Sequence, residues 1–159
     1  MKKVIGIIVG VIAVIAILLG IAAATGNLKV NTEFKVTTNI TAKKPSNTAI
    51  NKLFETYLTK INAGADEDIY KNILVKEFQN QYTLNQIKQM HDYVRGLGAV
   101  KNTNLDKAKY DTSKEGDIDV FEVSTVVDFE NAPQLVKLKT IYQDNELKIL
   151  SFSFSNKTE

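Results

Sequence analysis

Between Lys3 and Thr25 the chain carries no charged residue. Val4 to Ala24 is an unbroken apolar run. A helix of about 20 such residues matches the roughly 30 Å hydrocarbon layer of a bilayer. The run therefore predicts a transmembrane helix, with everything after Thr25 on one side of the membrane. Residues 1–26 read as an N-terminal anchor in contact with lipid through residues 4–24. The alternative is a secretory signal. Lys2 and Lys3 provide the basic start, and Ala22, Ala23 and Ala24 the small-residue exit, so cleavage near Ala24 would release a secreted product. The run is longer than the usual signal core of roughly 7–15 residues, which favours the anchor. A lipid-modified signal is excluded, because the chain has no cysteine.

Lys2 and Lys3 lie directly against the run, which favours the N-terminus inside and the remaining chain outside. The expected location is the cell membrane, single-pass, with an extracytoplasmic C-terminal domain. Within the run, Gly6 and Gly10 form a G-x-x-x-G, and Gly20 adds a further small position. Small residues let membrane helices approach closely, so these glycines are candidate helix-packing positions. They point to a membrane-protein partner or a homo-oligomer.

Lys2 and Lys3 also account for the net charge of +2: without them the 20 basic residues become 18, equal to the 18 acidic ones. The part beyond the membrane is thus neutral, with both signs interspersed. Nucleic-acid binding needs a basic surface and is not expected. The absence of cysteine removes disulfides, thiolate metal sites and thiol nucleophiles. The domain must be held by its core, and roughly 130 of the 159 residues are enough for one.

Leu28 to Ala42 alternates with period two. Leu28, Val30, Phe34, Val36 and Ile40 share one parity and polar residues the other. This predicts a half-buried, membrane-proximal strand within residues 27–45. Its edge would be a surface for pairing with another chain. Pro45 breaks it, and Ser46 and Asn47 are cap residues. Ile50, Leu53, Phe54, Tyr57, Leu58 and Ile61 then recur at helical spacing up to Ala63-Gly64. A second helical pattern starts at Asp66-Glu67-Asp68, and Lys76 to Tyr82 is ambiguous. Thr83 and Gln86 read as a capping box before a third helix with Leu84, Ile87, Met90, Val94 and Leu97. Strands follow at Val100–Tyr110, Ile118–Phe129, Leu135–Tyr142 and Leu147–Phe154. A polar turn is expected at Asp111–Gly116, a bulge near Val120 and a hairpin turn at Gln143–Glu146.

Helices followed by a meander of strands predict an α+β domain over 46–156, with three helices packed on a curved antiparallel sheet of four or five strands. That order, together with the junction Tyr93-Val94-Arg95-Gly96-Leu97-Gly98-Ala99-Val100-Lys101, resembles the nuclear transport factor 2-like (cystatin-like) cone superfamily, including its small exported domains of unknown function. The resemblance implies a conical interior able to hold an apolar ligand or, in enzymes of that superfamily, acids, His and Tyr for hydrolysis or isomerisation.

His91 is the only histidine and a candidate base. Its neighbour Asp92 cannot share its helix face, which favours an ordinary surface or helix-face histidine. Asp66, Glu67 and Asp68 lack the spacing of a calcium loop and read as helix-start acids. Asp117 and Asp119 share a strand face and suggest pairing with lysines. Tyr57, Tyr70, Tyr82 and His91 are the candidate lining of a ligand pocket, against the commoner reading of the tyrosines as core residues with hydroxyls near the surface. No catalytic set, metal site or cofactor is expected. The expected role is non-enzymatic, in interaction or assembly. The alternatives are an oligomeric or filament-forming envelope subunit and a cone-type enzyme.

Overall fold

The computed structural model describes residues 40–156 and the backbone of 28–30. The apolar run Val4–Ala24, with Gly6, Gly10 and Gly20, lies outside the described residues. Among the described residues no helix is long and apolar enough to cross a membrane.

Helix α1 (Asn47–Asn62) starts where the Ser46 side chain accepts from the Ala49 N–H, and buries Ile50, Phe54, Tyr57, Leu58 and Ile61. The expected second helix is one α-turn, α2 (Asp66–Asp68), which runs into a π-turn at Ile69–Ile73. The wider turn still buries Ile69 and Ile73. The ambiguous segment resolves into a short helix, α3 (Lys76–Gln81), so among the described residues there are four α-helical pieces before the sheet's main strands rather than three. Helix α4 (Leu84–Arg95) carries the full capping box between Thr83 and Gln86.

Among the described residues six strands form one antiparallel sheet: β1 (Leu28–Val30), β2 (Val100–Asn102), β3 (Lys109–Glu115), β4 (Ile118–Phe129), β5 (Pro133–Gln143) and β6 (Glu146–Asn156). The order is β1-β6-β5-β4-β2, and β3 continues along the same edge of β4 as β2. The single strand expected at Val100–Tyr110 is divided by Asn104, in the left-handed region at φ 49°, and by a 3-10 turn at Leu105–Lys107. The segment expected as a polar turn is β3 itself. Its hairpin to β4 is closed by Gly116-Asp117, with Glu115 opposite Ile118. Pairing runs unbroken past Val120, and the register shifts lie at Val100/Asn102 and Lys139/Thr140 instead. The hairpin turn between β5 and β6 is at Asp144-Asn145, both at positive φ, as a tight turn matching sheet twist requires.

The expected N-terminal strand is present as β1, paired with β6 in the register Leu28↔Phe154 to Val30↔Phe152. Ile40 makes one bridge to Gln143. The intervening part of the expected strand lies outside the described residues.

One sheet face carries Val123 and Val127 of β4, Val136 and Leu138 of β5, and Phe152 and Phe154 of β6, all buried. The helices cover this face, with α1 against β6 and α4 against α1. The other face carries cross-strand pairs such as Glu122↔Lys139 and Ser124↔Lys137, partly open to water. An antiparallel sheet with one dry face and one wet face has this alternation. Gly98 ends the α4–β2 junction at φ +86°, where a Cβ would lie 2.6 Å from the Glu130 Cβ, so only glycine fits that close approach.

Candidate functional site

The densest group of titratable side chains lies between α1, α2 and α4. Tyr57 projects from α1, Asp66 from the first turn of α2, and His91 and Arg95 from successive turns of α4. His91 Nδ1 is 2.6 Å from Asp66 Oδ1, and Tyr57 Oη is 3.3 Å from His91 Nε2. Arg95 donates to both Asp66 oxygens, at 3.0 and 3.2 Å. It also donates to Asp92 Oδ1 at 2.6 Å and to the Ile61 carbonyl at 3.1 Å. The chain of contacts runs from a partly exposed guanidinium to a wholly buried phenol.

The protonation states follow from these partners. Burial alone would raise the Asp66 pKa, but hydrogen bonds from Arg95 and His91 outweigh it and hold the carboxyl below its ordinary value. Asp66 is therefore a carboxylate and accepts only, so His91 Nδ1 carries the proton and Nε2 accepts from the Tyr57 hydroxyl. Burial lowers the His91 pKa, and Asp66 only partly opposes this, so the imidazole is neutral near pH 7. Burial, and then the charge of Asp66, push the Tyr57 phenol well above its ordinary value.

His91 is therefore not a surface histidine. It is 0% exposed, and its partner is Asp66, 25 residues away. Asp66 is a helix-start acid, as expected, but its carboxylate is turned inward and buried. Arg95, the chain's only arginine, was not foreseen as a member of the group. The one local signal was its position four residues after His91, on the same helix face.

Of the four candidate pocket residues, Tyr57 and His91 are in direct contact. Tyr82 packs tilted against Phe78, with centroids 5.5 Å apart, and Phe78 stacks on Phe152, which also packs against Tyr57. The Tyr70 hydroxyl donates to the Tyr82 carbonyl at 2.7 Å. Tyr57, Tyr82 and His91 are thus linked through Phe78 and Phe152 in the packed core, and half-buried Tyr70 reaches them through its bond to the Tyr82 backbone. The Tyr57 hydroxyl is paired with His91 Nε2, His91 Nδ1 with Asp66, and the Tyr70 hydroxyl with the Tyr82 carbonyl. Asp119 lies 3.9 Å from Lys114, the cross-strand lysine pairing expected for that face. Among the described residues no group of His, Asp and Glu has the arrangement of a metal site.

Chemically, the group is a Tyr–His–Asp hydrogen-bond chain closed at both ends. A triad of this order activates its hydroxyl only if a substrate can reach it. Here the hydroxyl and both ring nitrogens are already paired inside the core. As it stands the group joins three helices. The class that this fold and site define is an α+β domain with helices on one face of an antiparallel sheet. No family model, no curated protein and no solved structure matches the chain.

Proposed function

We propose that the chain is a single-pass membrane protein whose α+β domain stands outside the cytoplasm and acts by interaction or assembly, without turning over a substrate. The observation that carries this reading is the pairing of β1 with β6. The backbone is already part of the sheet at Leu28, four residues past Ala24. Four extended residues reach at most about 14 Å. A helix at residues 4–24 would therefore hold the sheet close to the bilayer, which raises its effective concentration for a partner in the same membrane. The sealed state of Tyr57 and His91 supports a role other than catalysis. The likeness to the cone superfamily adds the order of elements. Phe54, Tyr57, Phe78 and Phe152 are buried in the core beneath the helices.

A second reading is favoured by one observation, the donor–imidazole–carboxylate order of Tyr57, His91 and Asp66. It would require the core to open over Tyr57 for hydrolase or isomerase chemistry.

The test is made on the full chain in its membranes, by alkaline carbonate extraction, protease accessibility from each side, and the masses of stoichiometric companions after mild detergent extraction. Retention in the membrane, cleavage only from outside and a defined companion subunit are expected. Release of a product cut near Ala24 would overturn the anchor. An anchored monomer carrying a bound small molecule would replace interaction with ligand binding.

A further inference from the structure

We infer that the domain pairs with a second copy of itself through the outer edge of β3, forming one continuous antiparallel sheet across a twofold axis at Thr112. The inference deepens the interaction reading above and rests on it.

β3 pairs with β4 on one side only, and among the described residues no strand lies on its other side. Six of its seven residues are exposed, and Tyr110, the exception, is tied inward by its hydroxyl to Asn51 Oδ1 at 2.6 Å. Exposed edges with charges are commonly protected against pairing. The charge order on this edge instead complements itself. In an antiparallel pair centred on Thr112, Lys109 stands opposite Glu115 of the second copy, Tyr110 opposite Lys114, Asp111 opposite Ser113, and Thr112 opposite Thr112. Each pair occurs twice around the axis except the central one. The interface therefore carries two Lys–Glu pairs, two Asp–Ser hydrogen bonds and two Lys–Tyr contacts. Directly opposed side chains of this kind are the unit of sheet stabilisation.

The neighbouring registers fail. Adjacent strands must match faces, so the register can slide only in steps that keep each side chain on its own face. A slide one way, centred on Asp111, sets Asp111 against Asp111. A slide the other way, centred on Ser113, sets Asp111 against Glu115 twice. Both place carboxylates directly opposite each other, which destabilises a pair. Of these three registers, only the one centred on Thr112 sets opposite charges within β3 face to face. Glu115 already meets Lys139 at 2.7 Å on the wet face. The second copy's Lys109 would add a second ammonium to it rather than create a new charge cluster.

One seven-residue edge is small beside the roughly 1,600 Å² of a typical stable interface. Pairing is expected to be weak at dilution and strong when two copies share a membrane.

The experiment uses disulfide trapping, since the natural chain has no cysteine. Directly opposed strand residues lie about 4.5–5.5 Å apart at Cα, within reach of a disulfide. Full-length Thr112→Cys in membranes is expected to form a dimer on mild oxidation, at least about fivefold faster than Lys137→Cys on the wet face. In the Thr112→Cys chain, Lys109→Glu alone sets glutamates opposite each other, and Glu115→Lys alone sets lysines opposite each other. Each should lose cross-linking. Mixed together, the two variants restore both opposite-charge pairs, so the hetero-dimer should reappear selectively. The circular dichroism of each variant checks that it is folded. Equal trapping at positions 112 and 137, or no recovery on mixing, would overturn the self-pairing. Carbonate extraction of the same membranes separates the two ideas. Anchored chains without trapping refute the self-pairing alone, and trapped dimers that leave the membrane refute the anchor alone.

Discussion

Asp66→Ala tests whether the buried group clamps the three helices. The substitution removes the acceptor of His91 Nδ1 and of both Arg95 contacts. Arg95 is 25% exposed and keeps Asp92 and the Ile61 carbonyl, so its loss is close to that of a surface pair, about 0.5 kcal/mol. His91 is 0% exposed and has no route to water. Stranding its N–H costs about 1–3 kcal/mol. Together the destabilisation is about 1.5–3.5 kcal/mol, most of it through His91. In a His91→Phe chain no N–H remains to be stranded, so Asp66→Ala should then cost only about 0.5–1 kcal/mol. The coupling in the double-mutant cycle is therefore about 1–2.5 kcal/mol, above the roughly 0.5 kcal/mol scatter of independent sites. Loss of the Tyr57 partner occurs in both arms that carry His91→Phe and cancels. The assay is urea unfolding of the full chain in mild detergent, followed by tyrosine fluorescence and circular dichroism. The midpoint should move while the slope stays constant. Additive single substitutions would show that Asp66 and His91 do not act as a unit, and would refute the clamp.

Other outcomes follow from the same geometry. Because the His91 pKa is lowered in the folded domain, the unfolded chain binds the extra proton first. Stability should fall as pH drops below the ordinary imidazole value near 6.5, and His91→Phe should flatten the unfolding midpoint between about pH 7 and pH 5. Asp66, also lowered, has its stabilisation in place above its ordinary value of 3.8, and loses it only as pH falls through its still lower folded value. Gly98→Ala should cost about 2–4 kcal/mol by thermal melting, from positive φ plus the approach to Glu130. Gly116→Ala has nothing within 4 Å and should cost only the conformational part, about 1 kcal/mol. Thr83→Ala removes the cap of the helix that carries His91 and Arg95 and should lower stability by about 0.5–2 kcal/mol in the same urea assay.

Much of the fold was legible because caps and periodicity are short-range signals. Ser46 and the stripe from Ile50 to Ile61 delimit α1, Thr83 and Gln86 start α4, and the alternation of Phe121, Val123, Thr125, Val127 and Phe129 defines the covered face of β4. The same signals failed where tertiary contacts decided. Asp111 to Gly116 is polar because β3 is a wet edge, and polarity alone cannot tell an edge strand from a turn. The π-turn at Ile69–Ile73 and short α3 bury their apolar residues by packing, against weak local preference. No bulge at Val120 was needed, since Val120 is buried in its own right.

The site divides in the same way. The sequence by itself determined the apolar N-terminal run, the absence of cysteine, the balance of charge beyond Thr25, and a lone histidine and lone arginine four residues apart. Only the tertiary structure placed Asp66 beside them and closed Tyr57 over the imidazole, because those contacts depend on how α1, α2 and α4 dock. The charge order of β3 was present in the chain throughout. It acquired meaning only when pairing with β4 left the opposite side of that strand open, since an edge exists only in an assembled sheet.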